Sequence, residues 1–249
     1  MQITAKQIEP IPSATVVLVR DALNGPEVFL ALRKKNAAFG ASYVFPGGGI
    51  DPVDKNFESN ISDKENRIIN DYLNLKTGGY EYFSAAIREL FEEAGILLVL
   101  NNKRQFPEHL NLKQYRDLIY SKALCWNDFL KDNSLHLDHK KLIYFSFWVT
   151  PLYLSRRYTT RFFITEIPVK QEASHCGKEL IDSCWITAKE ALIARRKKEI
   201  NIPYPTAITL MQIRRFGRVN EILEWAKNRS ILGVPCYFPE LTETERQEI

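Results

Sequence analysis

Residues 88–96, with the sequence RELFEEAGI, constrain the fold of this chain more than any other stretch. An α-helix advances about 100° per residue, so Glu89, Glu92 and Glu93 would share one helical face roughly 100° wide. The opposite face is apolar, and its residues are Phe83, Ile87, Leu90, Phe91 and Ala94. The sequence therefore predicts a helix over residues 81–94 that packs against a core on one side and presents a cluster of carboxylates on the other.

The carboxylate cluster is unfavourable without a counter-ion, because like charges three and four residues apart on a helix repel each other. Glu92 and Glu93 also fall in the last helical turn, where the helix dipole disfavours anions, and Gly95 is predicted just past the helix end. A divalent cation among the three side chains would relieve both effects, and oxygen ligands suit Mg²⁺ or Mn²⁺. The alternative is a solvated acidic face, which is the usual meaning of a charge run.

Three consecutive glycines at residues 47–49 form the second feature of interest. Glycines permit a backbone path that residues with a Cβ atom resist, and they let the main chain approach a ligand closely. Most glycine-rich segments are only turns. Together with the acidic helix, however, this segment indicates a site in which a main-chain carbonyl faces a cation.

The two features together resemble a known sequence motif. Residues 88–96 follow the pattern Arg-Glu-apolar-x-Glu-Glu-x-Gly-apolar, which resembles the second half of the Nudix hydrolase box. Residues 45–51 resemble its first half, and Asp54 stands where the box has a glutamate. The Nudix pattern has seven residues between that acid and the arginine, whereas 33 residues separate Asp54 from Arg88 here. The box is therefore predicted to contain an insert over about residues 55–80.

Other stretches are similar to the Nudix subgroup that includes acyl-coenzyme A diphosphatases with an interrupted box. They are residues 44–48, 86–89, 91–98, 148–151, 156–158 and 160–163. The resemblance implies a hydrolase that cleaves the pyrophosphate of coenzyme A or acyl-coenzyme A. Alternative readings are a Nudix pyrophosphatase for ADP-ribose, NADH or other nucleotides, and a non-catalytic nucleotide sensor. A sensor would be expected to have lost acids of the box, and this chain retains them.

The order of apolar runs predicts an α/β protein in which strands are interleaved with one central helix. The predicted strands cover residues 13–20, 27–33, 43–45, 96–100, 141–150, 158–167 and 181–186, and the predicted helices cover 64–75, 81–94, 187–198, 206–216 and 219–228. Residues 101–140 read as mostly helical. This agrees with the fold that the resemblance implies, a single Nudix-type α/β/α sandwich over residues 1–249 with a mixed sheet and a C-terminal helical segment at about 205–230.

The resemblance also implies roles for individual residues. Glu89, Glu92, Glu93 and the Gly48 carbonyl would bind Mg²⁺ or Mn²⁺, and Arg88 would orient Glu89 or pair within the fold. The attacking water needs a general base, for which Glu89 and Glu179 are candidates and Glu172 is a weaker alternative. Taken alone, each of Glu172 and Glu179 is somewhat better interpreted as a solvated loop acid.

Substrate contacts are predicted for arginines and aromatic residues near the strand ends. Arg33, Arg157 and Arg161 could form paired hydrogen bonds with phosphates, and stacking on an adenine is assigned to Phe39, Tyr43 or Tyr158. For each of these residues, a surface charge or a core aromatic ring is an interpretation at least as good.

Composition limits the possible partners. The chain has 34 basic and 30 acidic residues and a net charge of +4, too small an excess to indicate nucleic-acid binding. No apolar run approaches the roughly 20 residues of a membrane span, and neither terminus resembles a targeting signal. Four cysteines without paired spacing predict reduced, buried thiols. We therefore expect a cytoplasmic protein with a small-molecule nucleotide substrate and neither a nucleic-acid nor a membrane partner.

The insert has two interpretations, a short helix packed beside the site or a surface excursion.

Overall fold

The computed structural model describes residues 9–35, 41–55 and 61–239 of the chain. The strands are β1 (Ile11–Arg20), β2 (Glu27–Arg33), β3 (Tyr43–Val44), β4 (Gly47–Gly49), β5 (Val99–Leu100), β6 (His136–Leu137), β7 (Ile143–Val149), β8 (Tyr158–Glu166), β9 (Leu180–Thr187) and β10 (Cys236–Tyr237). The helices are α1 (Asp63–Tyr72), α2 (Gly79–Ala94), α3 (Leu112–Tyr120), α4 (Trp126–Asp132), α5 (Ala188–Arg196), α6 (Tyr204–Ile213) and α7 (Val219–Leu232).

Eight of these strands form one mixed sheet. Its order is β10-β7-β8-β1-β2-β3, with β4 also paired to β1 and β9 also paired to β2. The β1–β8 and β10–β7 pairs are parallel, and the other pairs are antiparallel. β1 and β2 pair only near their connecting turn, at Val19 with Val28 and Arg20 with Glu27. Where these two strands diverge, β3 pairs with β2 and β4 pairs with β1, so the three glycines lie beside β1 and near the end of β2.

The sheet separates two hydrophobic cores. Alternate residues of β1 point to opposite faces: Val16 and Leu18 join the core beneath α1–α4, whereas Val17 and Val19 join the core beneath α5–α7. The predicted α/β/α sandwich with a mixed sheet and C-terminal helices is therefore confirmed. Within the described residues, no helix is both long enough and apolar enough to cross a membrane.

The segment that follows α2 differs from the prediction. Residues 96–100 contain only the two-residue strand β5, which pairs with β6 in a separate small sheet. Upstream of β5, the main chain of Leu97 bonds instead to the Gln171 side chain, at 2.8 Å through its N–H and 2.9 Å through its carbonyl. The predicted helical region at 101–140 contains only α3 and α4 as α-helices, joined by turns. Several apolar residues of α3 and α4 are buried, namely Ile119, Trp126, Phe129 and Leu130.

Two smaller predictions also need correction. All four cysteines are free thiols, but Cys125 and Cys236 are exposed, so the expectation of burial was wrong for them. The helix predicted over 206–216 is α6, which begins two residues earlier, at Tyr204, with Pro203 just before it and Pro205 in its first turn. Proline is compatible with that position, because the first helical N–H groups have no partner within the helix.

Candidate active site

The acidic helix begins where the insert ends. The first residue of α2 is Gly79, whose N–H donates a 2.7 Å hydrogen bond to Oδ1 of Asn70 in α1. A Cβ atom at position 79 would lie 2.7 Å from the same oxygen, so glycine is needed for the close approach. The insert therefore supplies a polar partner to the start of the helix that carries the three glutamates.

The other end of α2 is also bound by residues from outside the helix. Gly95 has φ of 75°, a left-handed conformation that ends the helix as predicted, and its N–H bonds to the Phe91 carbonyl at 2.9 Å. Arg116 of α3 donates to the carbonyls of Glu92 and Glu93 at 3.0 and 2.8 Å. The N–H of Ser174 donates to the Ala94 carbonyl, so the last four helical carbonyls all have partners.

The glycine segment lies directly against the acidic face. The N–H of Gly47 donates to Oε2 of Glu93 at 2.8 Å. A Cβ atom on Gly48 would overlap the carboxylate of Glu89. Gly48 does not have a positive φ, so close approach, rather than an unusual backbone path, explains the requirement for glycine at this position. The structure thus brings Gly48 and Glu89 together, although 40 positions separate them in the sequence.

Arg88 is the centre of a buried hydrogen-bond network. Its side chain is 4% exposed, and its Nε and Nη2 atoms bond to the two carboxylate oxygens of Asp54 at 3.1 and 2.8 Å. Its Nη1 atom donates to Glu89 at 2.8 Å and to Glu92 at 3.3 Å, and Nη2 also donates to the Gly49 carbonyl at 3.1 Å. Arg88 therefore fixes two of the three acids relative to the glycine segment.

Asp54 in turn is fully buried and has partners of its own. The Ser84 hydroxyl donates to Oδ1 at 2.9 Å, and the N–H of Asp51 donates to Oδ2 at 2.9 Å. Asp54 belongs to a short 3₁₀ turn, Pro52–Asp54, that directly follows the glycine segment. Asp54 and Arg88 therefore remain paired although the insert separates them in the sequence.

Glu93 is bound by a second arginine from β2. Nη2 of Arg33 lies 3.3 Å from Oε1 of Glu93 and donates to the Gly47 carbonyl at 2.8 Å. Nη1 of Arg33 forms a 3.5 Å ion pair with Glu179, whose side chain is 43% exposed. The structure therefore places Glu179 at the edge of the acidic cluster, with Arg33 between the two acids.

Burial raises the pKa of all three glutamates in the cluster. Burial raises the pKa of Glu93 to about 8 although Arg33 lowers it, and the carboxylates of Glu89 and Glu179 raise it further. Burial likewise raises the pKa of Glu89 to about 7 against the effect of Arg88. The pKa of Glu92 is also raised, mainly by burial. A cation at this position would stabilise the ionised carboxylates.

The donor atoms fit a hard divalent ion in kind, since carboxylate and carbonyl oxygens are the ligands that Mg²⁺ and Mn²⁺ prefer. Within the described residues, however, no three Asp, Glu, His or Cys side chains converge as a ready-made metal cluster. Glu89 and Glu92 are instead turned towards Arg88, while Glu93 contacts Arg33 and Gly47.

The predicted substrate-binding residues are less well supported. Arg157 is 7% exposed and donates to the Thr150 carbonyl at 3.2 Å. Arg161 is 5% exposed, donates to the Leu73 carbonyl at 3.0 Å, and lies over the rings of Tyr82 and Phe147 at 4.2 and 4.8 Å. These two arginines are therefore buried by contacts within the fold, and their predicted contact with a phosphate stays a prediction. Of the three predicted arginines, only Arg33 adjoins the acidic cluster.

The remaining predicted residues lie at mixed positions. Tyr43 donates its hydroxyl to Asp182 at 2.6 Å, and burial together with that carboxylate raises its pKa. Tyr158 is half-buried, with Arg156 6.0 Å from the centre of its ring. Glu172 is exposed, and Phe39 lies outside the described residues.

Sequence reasoning missed Asn70, Arg116 and Ser174, which hold the two ends of α2. No local pattern marks them, because each acts on a helix end that lies far away in the sequence. The capping partners of a helix can be recognised from sequence only when they belong to the same turn, as Thr187 and Glu190 do at α5.

Comparison with known proteins identifies the family. The model of the NUDT19 Nudix domain matches residues 79–215, more than half of the chain. This chain belongs to the Nudix hydrolase family. The matched region contains all three glutamates of α2 but neither the glycine segment nor Asp54, which the structure adds to the site. Family membership makes the protein a Nudix pyrophosphohydrolase.

Two curated relatives and one crystal structure support this assignment. The acyl-coenzyme A diphosphatase NUDT19 of Xenopus laevis is 28% identical over 257 aligned positions, which cover 88% of this chain and 68% of that protein. The putative nudix hydrolase 7 of Caenorhabditis elegans is 25% identical over 184 positions, covering 73% of this chain and 51% of that protein. A Nudix hydrolase from Alicyclobacillus acidocaldarius shares the fold, with a TM-score of 0.73, 22% identity and coverage of 87% of this chain and 96% of the other.

Proposed function

We propose that this Nudix enzyme hydrolyses the pyrophosphate of a nucleoside diphosphate-linked substrate, and that the substrate is coenzyme A or acyl-coenzyme A. The main support for this chemistry is the contact between the glutamates of α2 and the glycine segment. This contact brings carboxylate oxygens close to main-chain carbonyls that could bind the same cation. The name of the frog relative supports the choice of substrate. ADP-ribose and NADH are the alternatives that share this chemistry.

Glu89, Glu92 and Glu93 would hold Mg²⁺ or Mn²⁺, with the Gly48 carbonyl as a further ligand by resemblance to the family. When bound, such an ion neutralises phosphate oxygens and lowers the pKa of a bound water. Arg88 positions Glu89 and Glu92 through the bonds described above, and Asp54 keeps Arg88 in place.

The proton of the attacking water needs an acceptor close to the acidic cluster. We assign this role to Glu179, because it is partly exposed and its ion pair with Arg33 keeps it beside Glu93. Glu89 is the second candidate, since burial raises its pKa to about 7. Arg33 is also the arginine best placed to meet a substrate phosphate, because its guanidinium lies at the cluster and its side chain is 16% exposed.

The proposed function is tested with a panel of coenzyme A, acyl-coenzyme A, ADP-ribose and NADH, assayed with Mg²⁺ or Mn²⁺ and with a chelator. We expect metal-dependent release of 3′,5′-ADP from coenzyme A, and slower turnover of coenzyme A that lacks its 3′-phosphate. Faster cleavage of ADP-ribose or NADH would reject the assignment of substrate. Failure to cleave any of the four would reject the activity itself.

Glu92→Gln and Glu93→Gln test the metal role. Each variant is expected to stay folded, as judged by circular dichroism, and to lose turnover by at least about 100-fold, because a neutral amide is a poor ligand for a hard cation. Glu199→Gln is the matched control, since Glu199 is exposed and its carboxylate forms an ion pair of 3.6 Å with Lys197 in the turn that follows α5. Unchanged turnover in both α2 variants would contradict the assignment.

A further inference from the structure

One guanidinium holds the end of α2 and a distant loop at the same time. Besides the carbonyls of Glu92 and Glu93, Arg116 binds Ser174, with Nη2 at 2.8 Å from its carbonyl and Nη1 at 3.3 Å from its hydroxyl. A Cβ atom at Gly95 would lie 3.0 Å from Nη1 of Arg116, so this glycine also makes room for the arginine. The position of α2 and the position of Ser174 are therefore set by the same side chain.

Ser174 begins the short loop that leads to Glu179. Within this loop, His175 bonds to the Ser183 hydroxyl of β9 at 2.9 Å, and the N–H of Leu180 donates to the sulfur of Cys176 at 3.4 Å. These contacts fix the loop to the sheet between its two ends. Ser174 and Glu179 therefore belong to one hydrogen-bonded unit, and Arg116 joins the end of α2 to that unit.

The contacts form a closed circuit around Glu93. Its main-chain carbonyl binds Arg116, which binds Ser174, and its side chain meets Arg33, which pairs with Glu179. Two arginines thus hold the main chain and the carboxylate of one acid, and both are attached to the loop that begins at Ser174. This arrangement goes beyond an ordinary helix cap, which would satisfy only the carbonyls of α2.

We propose that Arg116 is a positioning residue for hydrolysis, which aligns the acids at the end of α2 with Glu179. The inference rests on the proposed function and deepens it by adding a residue that touches neither substrate nor metal. Because a misplacement of about 1 Å can reduce a rate by about 100-fold, loss of Arg116 should lower kcat while KM changes little.

The experiment compares Arg116→Met with a matched control, Arg195→Met. Nε of Arg195 donates to the Ile202 carbonyl at 3.1 Å on the other side of the sheet, so both substitutions remove an arginine–carbonyl bond. We expect Arg116→Met to reduce kcat by about 100-fold with KM within about twofold of wild type, and Arg116→Lys to lose about tenfold, since lysine keeps the charge but not the fork of donors. Arg195→Met should change only the melting temperature.

Two further measurements separate alignment from stability. If Arg116 acts by aligning Glu179, removing Arg116 from a Glu179→Gln background should cost far less than 100-fold, which a double-mutant cycle would show as strong coupling. Without metal, the Ser174 amide should exchange at least about fivefold faster in Arg116→Met and remain unchanged in Arg195→Met, as expected for a weakened hydrogen bond.

If the kcat losses of Arg116→Met and Glu179→Gln simply multiply in the double variant, the inference is overturned. Equal kcat losses in Arg116→Met and Arg195→Met would also overturn it. If Arg116→Met does not fold, Arg116→Lys replaces it: an unchanged kcat then counts against the inference, and a loss at constant melting temperature supports it. Absence of turnover in the wild-type protein would instead reject the proposed function. In that case, an unchanged exchange rate of the Ser174 amide in the folded Arg116 variant would still reject the proposed positioning role of Arg116.

Discussion

Both faces of the central sheet carry an apolar core, but the face beneath α1–α4 (the polar face) also buries several charged side chains, in contrast to the face beneath α5–α7 (the apolar face). On the side of α1–α4, four charged residues are each at most 5% exposed: Asp54, Arg88, Glu93 and Arg161. Asp54 and Arg88 bind each other, the Glu93 carboxylate is bound by Arg33 and the Gly47 N–H, and Arg161 binds the Leu73 carbonyl. On the side of α5–α7, the core is a set of apolar side chains. These are Val17, Val19, Leu30, Ile164, Ala191, Leu210, Ile213, Ile222 and Ala226, among others.

The two sides of the sheet should therefore respond differently to substitution. Burying a charge costs several kcal/mol unless it is well paired, so the polar face depends on every partner being present. Apolar burial contributes roughly 25 cal/mol per Å² and depends little on any single partner. We therefore expect substitutions on the polar face to change activity and stability together, and those on the apolar face to change stability alone.

The largest effect is expected for Asp54→Ala. This change leaves the guanidinium of Arg88 buried without its bidentate partner, which should reduce the free energy of unfolding by about 3–5 kcal/mol. Turnover per folded molecule should also fall, because Arg88 would no longer fix Glu89 and Glu92. Urea unfolding and active-site-normalised kinetics would measure the two losses.

Leu210→Ala is the control on the opposite face. Leu210 is fully buried in α6, so the substitution should cost about 2–5 kcal/mol through the lost apolar contacts and the cavity. Its turnover per folded molecule should match that of wild type. A comparable loss of turnover in both variants would show that the two faces are not functionally distinct.

The next largest effect is expected in the pH dependence of stability, to which Glu93 on the polar face should contribute. The pKa of Glu93 is raised by burial from an ordinary 4.5 to about 8, so its protonated form is favoured in the folded state. Its contribution is therefore fully present below about pH 4.5 and is lost as the pH rises towards 8. In a chelator, the wild-type melting temperature should decline over this range more steeply than that of Glu93→Gln, and Mg²⁺ should reduce the difference. Parallel curves for both proteins would contradict this expectation.

The insert belongs to the polar face rather than to the periphery. Besides the bond from Gly79 to Asn70, the hydroxyl of Tyr72 accepts the N–H of Tyr144 at 2.9 Å, and Arg161 binds the Leu73 carbonyl. These contacts count against the interpretation as a surface excursion, and they lie at the start of α2 rather than at its glutamates. The contacts join it both to α2 and to the sheet.

Asn70→Ala should have the smallest effect. Loss of the side chain that binds the start of α2 should cost about 1 kcal/mol, as for other helix caps, and Asn70→Asp should retain the acceptor and most of the stability. Asn220→Ala, at an exposed position in α7, is the matched control and should fall within about 0.5 kcal/mol of wild type. Equal unfolding midpoints for Asn70→Ala and Asn220→Ala would show that the insert does not stabilise α2.

The sequence alone determined the acidic helix and its end. The spacing of Glu89, Glu92 and Glu93 placed them on one face, and Gly95 marked the stop, because both properties depend on residues within a few positions of each other. The same reasoning predicted most strands and the fold class. It also identified the glycine segment as a partner of the helix, through the resemblance to a family motif.

Only the tertiary structure decided which residues complete the site. Arg116 and Asn70 at the helix ends, the pairing of Arg33 with Glu179, and the burial of Arg161 all depend on contacts between distant parts of the chain. An arginine has the same local sequence signature whether it faces solvent, a phosphate or a ring of aromatic side chains. Its role is fixed by the groups that folding brings around it, and those groups are not encoded in its neighbours along the chain.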